Sequence, residues 1–159
     1  MESKELQTIL ASEAMILDSK VNLDGKEIHY LDLEWYELNS GKLTRETDHG
    51  LKVQIRKSSN HVYQDHDLIY IDSEKIIRIR LKPCDCIVIS SQNLNEVGQV
   101  SFAIGNQHLP IFLNQEDELL LAYDGKSYQM LSSFGFQIRI EQKSLHPHEM
   151  IKAYGNYLQ

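Results

Sequence analysis

The spacing of hydrophobic residues changes partway along the chain, and the two halves predict different folds. In the first half, Leu31, Leu33 and Trp35 alternate with polar residues. This alternation is typical of strands with one buried face. Turn residues such as those at 39–42 separate the apolar runs at intervals of about ten residues. We therefore predict a small all-β domain, a barrel or sandwich, over residues 1–83.

A helical repeat appears only after Pro83. Asn93 and Glu96 have the spacing of a helix N-cap and its capping-box partner. Gly105 stands where a left-handed residue would end this helix. The apolar positions at helical spacing between them are Leu94, Val97, Val100, Ala103 and Ile104. The pattern predicts one amphipathic helix.

The second half of the chain contains one more helix and four strands. The helix is predicted from Gly125 to Phe134, with Gly135 as its end. The predicted strands cover residues 86–90, 109–113, 118–123 and 136–140. The resulting β-α-β-β-α-β order predicts a ferredoxin-like domain over residues 84–145. The fold class is therefore α+β.

Both ends of the chain are less regular. Leu6, Ile9 and Leu10 would share one side of a short amphipathic helix within residues 1–13. At the other end, Pro147 is expected to stop the final strand. We predict that residues 146–159 form a short helix or a mobile tail that carries a His-x-His pair.

Composition and charge exclude several classes of function. The chain has 159 residues, 42% hydrophobic and 25% charged, with a formal net charge of -7. We therefore expect neither nucleic acid nor an anionic membrane as a partner. No apolar run approaches the roughly 20 residues of a membrane helix, and residues 1–16 do not resemble a secretory signal. The expected location is the cytoplasm.

The sequence contains no recognisable catalytic constellation. There is no glycine-rich phosphate loop, no nucleophile elbow and no His-Glu-x-x-His. We expect no catalytic residue, no cofactor-binding residue and no enzymatic activity. Cys84 and Cys86 form a single Cys-x-Cys pair. They are either small half-buried residues or, with both thiols on one face of a strand, two soft metal ligands.

His108 follows the first predicted helix and is either a turn residue or a metal ligand. One imidazole cannot hold a divalent ion tightly, since such ions take four to six donors. A two-fold dimer could supply a second copy of His108. The tail could supply His146 and His148, whose spacing suits joint chelation. The expected metal ligands are these three histidines, with an exposed tail as the alternative for the last two.

The other histidines have weaker metal-binding signals. His29 is expected to be half-exposed on a strand, and His49 precedes Gly50 in a turn. Asp65, His66 and Asp67 form either a metal site or a solvated turn.

A basic stretch near the end of the first half allows two interpretations. It is either a solvated face or a docking strip for an acidic partner. Its members are Lys75, Arg78, Arg80 and Lys82.

Four stretches resemble the urease accessory protein UreE family, which carries nickel. LDLEWYE at 31–37 and TDHGLKVQIR at 47–56 are similar to the family's N-terminal strands. YQDHDLI at 63–69 resembles its D-G-D-x-L turn. IGNQHLP at 104–110 resembles its G-N-R-H-x-P signature. The similarity runs in order through about residues 15–145.

The resemblance implies a β-rich peptide-binding domain, then a ferredoxin-like metal-binding domain that forms a homodimer. The signature histidine, His108 here, would share one metal with its copy, and His146 and His148 would complete the site. The cargo would be Ni(II), with Zn(II) or Cu(II) binding in vitro. The partners would be the urease apoprotein and other urease accessory proteins, including a GTPase.

The chain departs from the family pattern in its sequence. Gln107 replaces an arginine, His66 replaces a glycine, and the tail has no polyhistidine run. We expect about one high-affinity site per dimer.

Two other functions compete with nickel delivery. One is a cytoplasmic peptide-binding interaction protein without a physiological metal. The other is a small metal hydrolase, which the absence of a carboxylate within the signature disfavours.

Overall fold

The structure is a computed structural model that describes residues 8–15 and 23–152. The chain divides into two compact units, Met1–Lys82 and Pro83–Gln159. Together they contain both helices and sheets, so the predicted α+β class is confirmed. None of the helices among the described residues has the length and apolar character required to cross a membrane.

The first unit contains two three-stranded sheets. One is ordered β1-β4-β3, with β1 (Ile9–Ala11) parallel to β4 (Lys52–Arg56) and β3 (Lys42–Glu46) antiparallel to it. The predicted N-terminal helix is therefore wrong at residues 9–11. Ile9 and Ala11 alternate with the exposed Leu10, because pairing with β4 imposes a repeat of two. Leu6 lies outside the described residues.

The other sheet is ordered β2-β6-β5. It comprises β2 (Glu27–Leu33), β5 (Leu68–Ile71) and β6 (Lys75–Leu81). β2 runs parallel to β6, and β5 runs antiparallel to it. Neither three-stranded sheet closes into a barrel within the part of the chain described.

A single apolar core fills the first unit. Alternate residues of β2, β4 and β6 point into it, as the period-two pattern predicts. Its fully buried members include Leu31, Leu33, Leu38, Val53, Ile55, Tyr63, Ile77 and Ile79. The alternation predicted through Trp35 stops earlier, because a 3-10 turn at Trp35–Glu37 follows β2.

The second unit is built on one five-stranded antiparallel sheet, ordered β10-β7-β9-β8-β11. Helix α1 (Leu94–Gly105) connects the first two strands of this unit in sequence, and α2 (Gly125–Ser133) connects the third to the fourth. The strands are β7 (Cys84–Ile89), β8 (Ile111–Leu113), β9 (Leu119–Ala122), β10 (Ile138–Lys143) and β11 (Met150–Ile151).

Side-chain caps fix where both helices begin. The Asn93 carboxamide accepts hydrogen bonds from the amides of residues 95 and 96, and Asp124 caps α2 in the same way. Gly135, with a φ of +78°, follows α2 as predicted. The Glu96 carboxylate instead accepts a hydrogen bond from the hydroxyl of Ser91, two residues before the predicted capping-box partner Asn93.

A buried carboxylate anchors β9 to β10. Glu118 accepts hydrogen bonds from the hydroxyl of Ser90 (2.8 Å), the amide group of Asn114 (3.1 Å) and the guanidinium of Arg139. The Arg139 guanidinium, with the Ser90 and Asn114 bonds, lowers the pKa of Glu118 from 4.5 to about 2. The folded state therefore favours the ionised carboxylate.

We expect Glu118→Gln to lower the free energy of unfolding by about 1–2 kcal/mol at neutral pH, because charged hydrogen bonds are lost while solvent still screens Arg139. The wild-type contribution is complete above pH 4.5 and disappears as the pH falls towards 2, since the folded pKa is the lower one. Urea denaturation at pH 7 and pH 3 measures the difference.

Glu116→Gln is the matched control, since Glu116 is exposed and its carboxylate forms an ion pair with Lys143 at 3.2 Å. An equal loss of stability in both variants, or a Glu118→Gln effect that is unchanged at pH 3, would contradict this account.

Candidate metal centre

The turn after α1 determines where His108 points. The amide of His108 donates to the carbonyl of Gly105 at 3.0 Å, and that of Gln107 donates to Ile104 at 3.0 Å. His108 itself has a left-handed φ of +56°. The prediction that Gly105 is the left-handed residue is wrong, because α1 includes Gly105 and the turn reverses three residues later. A non-glycine residue in this region costs about 1 kcal/mol.

The imidazole of His108 is exposed, although the turn that carries it is firmly attached. Val100 and Ile104 of α1 are fully buried in the core of the second unit. Since the helix packs through these residues, its last turn holds His108 at the surface. This arrangement suits a ligand that must be reached by a second molecule.

His146 and His148 precede β11, whereas His108 precedes β8, the antiparallel neighbour of β11. The histidine pair and His108 therefore lie at opposite ends of these two paired strands. Pro147–Glu149 form a 3-10 turn, and β11 then pairs with β8, Met150 opposite Phe112. The two imidazole centroids are 5.4 Å apart. The tail is thus attached to the sheet through residue 151, whereas residues 153–159 lie outside the described part of the chain.

The groove beside this histidine pair carries mixed charge. Glu116, Glu149 and Lys143 line it together with His146 and His148. The Lys143 ammonium lies 3.2 Å from Glu116 and 3.6 Å from both Glu118 and Glu141, so its charge is neutralised locally. The groove therefore does not repel a divalent cation as strongly as an unpaired lysine would.

The structure does not bring the three expected ligands together within one protomer. Among residues 8–15 and 23–152, the one group of three potential ligand atoms that lie within 4.8 Å of one another is Glu27, His29 and His49. This group of three was not identified from the sequence as a candidate metal site. The sequence predicts a half-exposed His29, but the residue is only 4% exposed in the structure. The two-residue spacing of Glu27 and His29 on a predicted strand already places both on one face. Their contact with His49 could not be predicted from the sequence, because it depends on how the strands pack.

The cysteine pair lies on one face of β7, with Cys84 partly exposed and Cys86 buried. The two sulfur atoms face the same way, 3.7 Å apart, well beyond the roughly 2.05 Å of a disulfide. Burial, aided by the neighbouring Cys84, raises the pKa of Cys86 to about 12. Burial of its side chain favours the interpretation of Cys86 as a small buried residue.

The Asp65-His66-Asp67 turn uses its carboxylates for its own backbone. Asp65 accepts from the amide of Leu81 at 2.8 Å, and Asp67 accepts from the amide of Gln64 at 2.8 Å. His66 has a φ of +67°, which explains why a glycine suits this position. The contacts favour the structural turn over a metal site.

The basic stretch is largely neutralised within its own unit. Arg80 forms a two-fold contact with Asp32, at 2.6 and 3.0 Å, and Lys75 lies 3.0 Å from Asp72. Lys82 pairs with Glu34. These pairs favour a solvated face over a docking strip for an acidic partner.

Several curated proteins are similar to this chain, and each is named urease accessory protein UreE. That of Acetivibrio thermocellus is 33% identical over 115 residues, which cover 72% of this chain and 74% of the relative. That of Flavobacterium johnsoniae is 34% identical over 116 residues, covering 72% and 70%. That of Haemophilus influenzae is 31% identical over 131 residues, covering 81% and 70%. No model of a known protein family matches the chain.

We expect the thiol of Cys86 to resist alkylation by iodoacetamide in the folded protein at mildly alkaline pH, because it is buried and protonated. The thiol should react rapidly once the chain is unfolded in urea. Mass-spectrometric peptide mapping of a Cys84→Ser variant isolates this single thiol. Rapid labelling of the folded variant would show that Cys86 is an accessible thiolate and would restore it as a candidate ligand.

Proposed function

Because this chain belongs to the UreE family of urease accessory proteins, we propose that it carries Ni(II) to the urease apoprotein during assembly of the urease active site. The family is named for an accessory role, so the protein is a chaperone and not an enzyme. Nickel is the cargo of this proposal, and Zn(II) or Cu(II) would occupy the same ligands in vitro.

The placement of His108 is the observation that carries the proposal. An exposed imidazole follows a helix whose other face is buried, in a turn closed by its own amide. Such a ligand is rigid in position but open to solvent. A site of this kind can receive and release an ion without unfolding the domain around it.

A two-fold dimer would place two copies of His108 on one ion. α1 leaves Leu94 85% exposed and Phe102 72% exposed, with Gly98 midway between them on the same helical face. An apolar stripe of this kind, close to His108 in sequence, supports an isologous contact between two helices. Each copy would contribute one imidazole, and about one nickel ion would bind per dimer.

His146 and His148 would complete or vary the coordination. Their centroids are close, and the pairing of β11 with β8 holds their turn against the sheet. Since four to six donors satisfy a divalent ion, two copies of His108 need ligands of this kind from the tail or from solvent.

The two units would divide the work of delivery. We infer that the second unit is ferredoxin-like, which the sheet order β10-β7-β9-β8 and the helices after β7 and β9 support. It would bind the metal and form the dimer, while the first unit binds peptide segments of partners. Those partners would be the urease apoprotein and other urease accessory proteins, including a GTPase. A cytoplasmic location stays a prediction.

We expect His108→Asn to remove most of the Ni(II) binding of the dimer, because the variant lacks the shared imidazole. Asparagine tolerates the left-handed backbone at this position better than alanine does, so the turn should survive. Calorimetric titration with Ni(II), with the mass measured in the same buffer, should give about one ion per wild-type dimer and an affinity at least about tenfold lower for the variant.

Gln107→Asn is the matched control, since it changes the neighbouring turn residue and keeps the imidazole. Equal nickel binding by wild type and His108→Asn would reject the shared ligand. Absence of nickel binding from both proteins, with intact binding to partner peptides, would favour the peptide-binding interaction protein.

A further inference from the structure

A group of three metal-ligating side chains lies in the first unit. Glu27 and His29 are two residues apart on β2 and therefore face the same side of the strand. His49 lies in the turn that joins β3 to β4. Their ligand atoms all lie within 4.8 Å of one another.

Hydrogen bonds between Tyr30 and Asp48 hold the two segments together. The amide of Asp48 donates to the carbonyl of Tyr30 at 2.9 Å, and the amide of Tyr30 donates to the Asp48 carboxylate at 2.8 Å. The turn is closed by the amide of Gly50, which donates to the carbonyl of Thr47 at 2.9 Å. These bonds, two between main-chain groups and one to the Asp48 carboxylate, place His49 beside His29.

His29 is a buried side chain with no hydrogen-bond partner for either ring nitrogen. Its Nε2 lies 3.2 Å from Glu27 Oε2, but without the alignment of a hydrogen bond. At 4% exposure, solvent does not replace the missing partner. A buried polar group of this kind is unfavourable unless another group satisfies it. A metal ion bound to the imidazole would do so.

The spacing of the donors fits a small coordination sphere. Ligands at 2.0–2.2 Å in a tetrahedron are about 3.3–3.6 Å apart. The Nε2 of His29 is 3.2 Å from one Glu27 oxygen, and the Nδ1 of His49 is 3.5 Å from the other. The two imidazole rings are nearly perpendicular, with centroids 4.2 Å apart.

Only the exposed members of the group need to adjust for an ion to enter. The side chain of Glu27 is 64% exposed and that of His49 is 45% exposed, so both can rotate at small cost. His29 is fixed by burial and would act as the anchoring ligand. Asp48 adds negative charge 4.0 Å from His49.

We propose that Glu27, His29 and His49 form a second metal site, which binds one divalent first-row transition ion, such as Zn(II) or Ni(II), per protomer. Two imidazoles and one carboxylate match the preferences of these ions, whereas Mg(II) and Ca(II) require mainly oxygen donors. Three protein ligands leave a coordination position for water or a ligand from a partner. None of its three ligands belongs to the candidate nickel site of His108, His146 and His148. The proposal therefore does not depend on the proposed role in nickel delivery.

The test uses the full chain with the C-terminal ligands removed, as His108→Asn, His146→Gln and His148→Gln. Zn(II) and Ni(II) are titrated separately by calorimetry and by equilibrium dialysis. We expect one ion per protomer to remain bound. Adding Glu27→Gln or His49→Gln should weaken this binding about tenfold or more. These two side chains are exposed, so the fold should persist, which circular dichroism checks.

His66→Asn is the matched control, because it removes an exposed histidine from another turn of the same unit and suits the left-handed backbone there. It should leave the binding unchanged. Nuclear magnetic resonance gives a second measurement, in which substoichiometric Ni(II) should broaden the ring signals of His29 and His49 before those of His61 and His66.

Three results would overturn the proposal. The first is that no metal binds once His108, His146 and His148 are replaced. The second is that metal still binds but His49→Gln and Glu27→Gln do not weaken the binding. The third is that Ni(II) first broadens the ring signals of other histidines. Each would leave His29 as a packed core histidine. None would affect the nickel site at His108, which is tested by the separate comparison of wild type with His108→Asn.

Discussion

The second unit depends on β7 being paired along both edges. Cys84–Ile89 hydrogen-bonds with β10 on one side and with β9 on the other, so its last four residues are all buried. The helix that follows must then pack on this sheet, and its buried Val100 and Ile104 determine where the turn with His108 emerges. β10 leads to the buried Leu145, directly before His146. One sheet therefore positions both groups of candidate ligands in this unit.

A divalent ion requires several donors that converge on one point. The two candidate sites of this protein would meet that requirement differently. In the second unit, the histidines are separate on the protomer and would converge through dimerisation and the β11 attachment. In the first unit, a strand and a turn already bring two imidazoles and a carboxylate within 4.8 Å. A site completed between molecules suits release of its cargo, whereas a site within one unit suits retention.

Local patterns explain which predictions succeeded. Asn93 caps α1 as predicted, because an acceptor there meets free amides two and three residues later. Asp124 caps α2 in the same way, although it was not predicted from the sequence. Gly135 ends α2 for an equally local reason, its left-handed φ. Gly105 carried the same local signal, but the packing of α1 extended the helix through it and moved the left-handed residue to His108. Residues Ile9–Ala11 form a strand despite their helical spacing of apolar residues, because they pair with the edge of β4.

The sequence alone determined the α+β class, most helix and strand positions, the turn that carries His108 and the resemblance to the UreE family. These depend on residues within a few positions of one another, or on motifs in a fixed order. Tertiary structure decided the burial of His29, its approach to His49, the neutralisation of Arg80 by Asp32 and the raised pKa of Cys86. Each of these is set by which strands pair and what the pairing buries. Contacts between residues distant in the chain depend on the whole packed unit, so no local pattern of side chains records them.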